Sequence, residues 1–131
     1  MLELQPNRGT QVRSNALLLL VAPFLLSHTI LAQERIVPDS GAAHYVGQTV
    51  TIEGAVVKVG FSGRSSTTFL NFGSAYPNQT FTAVIFRSAA SRFPNPQQWE
   101  GKRVRVSGRV QLYRDKPEII LEEPAQLVLA P

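Results

Sequence analysis

Residues 45–56 (YVGQTVTIEGAV) align without gaps on residues 99–110 (WEGKRVRVSGRV). Both read aromatic, x, Gly, x, x, Val, x, aliphatic, x, Gly, x, Val. Apolar side chains at every second position make a strand with one buried face. A Gly inside such a strand marks a bulge or a sharp bend. Two segments therefore share one design: a turn at Gly47 or Gly101, an apolar face, then a bend at Gly54 or Gly108. With no long helical period anywhere after residue 44, the chain is confined to all-β architectures that curl.

The remaining patterns divide the chain at its Gly, Ser and Pro clusters. Residues 48–61 form a first strand, 68–73 (TFLNFG) a second, and 80–86 (TFTAVIF) a third. The fourth strand is 102–113 and the fifth 117–121, with a short closing segment at 126–129. Residues 61–67 (FSGRSST), 74–79 (SAYPNQ) and 114–116 are turns or loops. Between the third and fourth strands, residues 88–93 have room for one or two helical turns before Pro94 and Pro96 stop them. Five strands, two of them bent at Gly, with a short helix between the third and fourth, describe a five-stranded OB-fold barrel over residues 45–131. A generic antiparallel sandwich is the alternative architecture. Residues 33–44 read as a polar lead-in.

Upstream, residues 16–26 (ALLLLVAPFLL) are unbroken apolar and follow Arg8 and Arg13. That run is too short to cross a hydrocarbon core of about 30 Å as a helix. It fits a signal peptide over residues 1–32, cut after Ala32, with a membrane-anchoring N-terminal helix as the other reading. Cleavage implies a periplasmic or secreted protein with no stable membrane insertion. The sequence has no cysteine, so thiolate zinc sites, disulfides and lipobox anchoring are excluded.

Charge is unevenly placed. Residues 58–116 carry ten Lys and Arg against Glu100 and Asp115, whereas the segments on either side are net acidic. A basic middle of this kind attracts polyanions and gives salt-sensitive binding.

WEGKRVRVSGRVQLYRDKPEIIL and YVGQTVTIEGAVVKV resemble the OB-fold nucleic-acid-binding family, and TFLNFG followed by TFTAVIF is similar to its second and third strands. Comparable patterns occur in the anticodon-binding domains of class II aminoacyl-tRNA synthetases and in the exodeoxyribonuclease VII large subunit. As a whole the chain resembles small secreted bacterial OB-fold proteins. The likeness spans residues 45–121.

The resemblance implies that single-stranded nucleic acid lies across strands two and three, between the one–two and four–five loops. Carried onto this sequence, Leu70 and Phe72 point inward and Phe69 and Asn71 face the ligand. On strand three it implies Thr82, Val84 and Phe86 inside, with Phe81 and Ala83 outside. Lys58 and Arg109 supply basic positions on strands one and four, Arg64 lies in the first loop, and Tyr113, Arg114 and Lys116 lie in the second. Exposed rings stack on any base, and loop cations track phosphates. The expected binding set is thus Lys58, Arg64, Phe69, Asn71, Phe81, Arg109, Tyr113, Arg114 and Lys116.

Catalysis finds no foothold in the residues. A thermonuclease-type barrel needs clustered carboxylates around a cation, and no Asp-x-Asp pair is present. There is no P-loop, no GxGxxG and no His–Ser relay, so no cofactor and no enzymatic activity are expected. The alternative to nucleic acid is a protein, peptide or cell-envelope glycan held by the same face.

Overall fold

The fold is organised by one long strand that changes partners halfway. In the computed structural model, which describes Gly9 and residues 34–131, β2 (Thr49–Ser62) pairs with β5 (Arg103–Arg109) over Thr49–Ala55 and with β3 (Thr67–Phe72) over Val56–Ser62. The expected signal segment, residues 1–32, lies outside the described residues apart from Gly9.

The changeover sits at a register shift between Val56 and Lys58, where Val57 is the extra residue. This bulge lies three residues beyond Gly54, the position expected to bend. Gly54 is required for a different reason. A Cβ there would lie 2.7 Å from Asp39 Oδ1 and 3.0 Å from Phe72 Cδ1, so glycine admits the close approach of two neighbours.

The repeated sequence becomes a symmetric pair. The two copies lie antiparallel on each other, Ile52 opposite Val106, with Gly54 opposite Val104 and Val50 opposite Gly108. Their closing hydrogen bonds mirror one another. Gly47 N–H donates to Val110 O (2.8 Å) as Gly101 N–H donates to Val56 O (2.7 Å), and Gln48 N–H donates to Tyr45 O (2.9 Å) as Lys102 N–H does to Trp99 O (3.1 Å). Gly47 and Gly101 share positive φ values of 84° and 80°, a conformation glycine adopts at no steric cost.

Four further strands complete the ladder around this pair: β4 (Phe81–Ile85), β6 (Gln111–Tyr113), β7 (Lys116–Ile120) and β8 (Leu127–Leu129). The order is β6-β7-β4-β3-β2-β5-β8, and β1 (Ile36–Pro38) runs parallel to β2. The protein is mostly β, with an eight-stranded sheet that does not close, where five strands in a closed barrel were expected. The expected fourth strand is divided into β5 and β6 at Val110, whose N–H turns to Gln48 O (3.0 Å). Short 3₁₀ turns at Arg87–Arg92 and Pro96–Trp99 occupy the connection between β4 and β5.

The segment read as a polar lead-in also packs. Val37 of β1 and Ala42 of the Asp39–Tyr45 turn join the core formed by Ile52, Val56, Leu70, Phe72, Val104, Val106 and Ile119.

Strand β4 corrects one expectation outright. Phe81, Ala83 and Ile85 point into the core. Thr82 and Val84 take the opposite face, and Phe86 is exposed. Phe81 is fully buried and meets Phe72 edge-on, with ring centroids 5.1 Å apart. It is a packing residue, not a platform. Alternation alone leaves the phase open, since Phe81, Ala83 and Ile85 alternate with Thr82, Val84 and Phe86; the pairing of β4 between β3 and β7 sets it.

Candidate ligand cleft

The face of β3, β4 and β7 turned away from the core forms the floor of an open cleft of about 730 Å³. Its floor is polar because of register. Asn71 on β3 stands opposite Thr82 on β4, which stands opposite Glu118 on β7. All three are at least nine-tenths buried. The Thr82 hydroxyl donates to Asn71 Oδ1 (3.1 Å), and Gln111 Nε2 donates to Glu118 Oε1 (2.8 Å). Gln79, from the loop ahead of β4, closes one end.

Three loops raise the walls, and each brings rings or cations. The end of β2 supplies Phe61, the β2–β3 turn Arg64, β3 Phe69 and the β3–β4 loop Tyr76. The β6–β7 hairpin has a two-residue turn, Arg114–Asp115, with both φ values positive (48° and 63°). That backbone matches the twist of the flanking strands. It sets Tyr113 opposite Lys116 and Arg114 at the tip. The Arg114 guanidinium lies 5.3 Å from the Tyr113 ring centroid, and Lys116 Nζ donates to the Gln79 carbonyl (3.3 Å). Phe61, Tyr76 and Tyr113 are 65%, 70% and 56% exposed, and Phe69 is half-buried. Large rings this open to water on one concave surface are uncommon without a ligand to cover them.

Four cations outside the cleft, Lys58, Arg92, Arg103 and Arg105, are held by local carboxylates. Glu53 accepts from Arg105 Nε (2.9 Å) and Arg103 Nε (3.1 Å). These hydrogen bonds, with that from Arg105 foremost, hold its carboxyl below the ordinary 4.5. Glu100 accepts from the Val59 N–H (3.0 Å) and lies 3.6 Å from Lys58 Nζ. The Val59 hydrogen bond first, then Lys58, lowers its carboxyl as well. Arg64, Arg114 and Lys116 are in no ion pair among the described residues, and neither are Arg35, Arg87, Lys102 and Arg109 outside the cleft.

Six of the expected binding residues therefore meet in one place: Arg64, Phe69, Asn71, Tyr113, Arg114 and Lys116. Three do not. Phe81 is in the core, Lys58 turns to Glu100, and Arg109 is exposed at the end of β5, outside the cleft lining. Sequence reasoning missed Phe61, Tyr76, Gln79 and Glu118. Tyr76 sits in a loop of small polar residues, where a large ring has no core to join. Glu118 interrupts an otherwise apolar strand. Those were the available signals. Among the described residues no three His, Cys, Asp or Glu side chains gather where a metal ion could be held.

No family model matches the chain, and no curated protein matches it significantly. Among solved structures it is similar to a chain described as an aspartyl-tRNA synthetase from Leishmania major Friedlin. The match has 14% identity and a TM-score of 0.48, and it covers 73% of this chain and 21% of that one.

Proposed function

We propose that the protein is a non-catalytic OB-type module that binds single-stranded nucleic acid in this cleft, outside the cytoplasm after removal of its N-terminal segment. The observation that carries the reading is the convergence of four aromatic rings and three cations without ion pairs on one concave face. Rings take bases by stacking whatever their identity, and the cations on the walls meet phosphates. Glu118, the one carboxylate in the lining, keeps phosphates off the floor and at the rim, where the cations are. A single carboxylate and no histidine in the lining suit binding better than hydrolysis. The OB-type reading draws on connectivity. β5 and β6 are separated by Val110 alone, so the covalent chain links the ladder on β2 to the ladder on β7.

The test is titration of a labelled single-stranded oligonucleotide into the protein at several salt concentrations. Three phosphate contacts predict a slope of log K against log salt of about −2. A folded protein that shows no binding at low salt refutes the reading. A second reading draws on the polar floor. Glu118 and the Gln79 amide beside exposed tyrosines also suit a neutral glycan, for which affinity would be insensitive to salt.

A further inference from the structure

The single-strand reading gives no attractive role to two groups on the floor. Gln79 is 7% exposed, yet its side-chain oxygen is buried and has no hydrogen-bond partner, alone in this among the described residues. A buried acceptor left unpaired is a standing cost to the fold, and native structures keep few of them. Glu118 is 8% exposed. Gln111 satisfies its Oε1, and its Oε2 has no hydrogen bond among the described residues. Thr82 lies between β3 and β7 in the same row and spends its hydroxyl hydrogen on Asn71. Toward the cleft it can only accept.

The Asn71 and Gln79 amide nitrogens can donate, but the floor's one charge is the Glu118 carboxylate, which accepts only. Phosphate oxygens are acceptors too and are excluded from it. What complements it is a planar edge carrying donors. Guanine presents N1–H and N2–H side by side, the geometry a carboxylate takes with two parallel bonds. Adenine and cytosine each present one amine, and a carboxylate accepts from such an amine in base readout. Thymine and uracil present a single N3–H, one donor where guanine offers the carboxylate two. We propose that Glu118 and the Gln79 side-chain oxygen form a base-selecting subsite that prefers guanine and disfavours thymine and uracil. The inference rests on the single-strand reading and adds specificity to a surface that stacking alone would leave indifferent.

The experiment compares, by fluorescence anisotropy, a short all-thymine strand with the same strand carrying one central guanine. The guanine strand should bind about tenfold more tightly. Glu118→Gln keeps an oxygen for Gln111 and should bring the two strands to within about twofold of each other. Gln79→Met keeps the backbone carbonyl that Lys116 uses and should narrow the gap as well. Circular dichroism establishes that each variant is folded, and if one is not, the other decides. Equal affinity of the unsubstituted protein for the two strands, or a preference that survives in a folded variant, overturns the subsite and leaves single-strand binding standing. Failure of both strands to bind overturns single-strand binding itself, and the subsite with it.

Discussion

Two arginine-rich regions of this molecule look alike in composition and differ in what surrounds the charge. On the β2–β5 ladder Arg103 and Arg105 flank Glu53, which accepts from both. Around the cleft Arg64, Arg114 and Lys116 stand among exposed rings, with no carboxylate within ion-pair distance among the described residues. In the first arrangement one carboxylate is shared by two cations and offsets part of their charge. The second leaves them to attract an anion from solution. A basic segment is therefore not in itself a binding surface: its local acids decide which cations remain available.

The contrast can be broken most sharply at the two phenylalanines that face opposite ways. Phe81→Ala should remove about 3–5 kcal/mol of stability, as core ring deletions do, measured by chemical denaturation. Phe69→Ala should cost little stability and instead weaken oligonucleotide binding by about 1–3 kcal/mol. Equal stability losses at the two positions would place Phe69 in the core as well.

The cations give the next largest effect. Arg114→Gln or Arg64→Gln should weaken binding across all sequences and reduce the salt slope by about 0.7 each. Arg103→Gln should leave the slope unchanged, because Glu53 already holds that charge. A matching drop in slope for Arg103→Gln would erase the distinction between the two regions.

The smallest effect concerns acid. Glu53 and Glu100 have carboxyls held below their ordinary 4.5 in the folded protein. A lowered carboxyl stabilises the fold above its unfolded value, and that contribution is lost as pH falls through the lower folded value. The melting temperature should decline as pH drops below about 4.5. Glu53→Gln should make the decline shallower.

The repeated stretch carried both central strands and their Gly turns, but not that the two copies pair with each other. TFTAVIF did not carry its phase, because Phe81, Ala83 and Ile85 alternate with Thr82, Val84 and Phe86 and each set is largely apolar. The family pattern placed Phe81 outside, and the register of β4 between β3 and β7 put it in the core. Residues 33–44 hid a core strand because Val37 and Ala42 lie among polar neighbours and show no period. Gln79 was illegible for a similar reason, since its burial depends on loops that fold over it.

By itself the sequence determined the main strands from β2 to β7 and the turns between them, because alternation and glycine placement act over a few residues. Only the tertiary structure decided which charges are cancelled and which rings stay wet. Glu53 lies 50 and 52 residues from the arginines it binds, and Lys58 lies 42 from Glu100. Contacts of that range are set by how strands stack in register, and no local pattern encodes them.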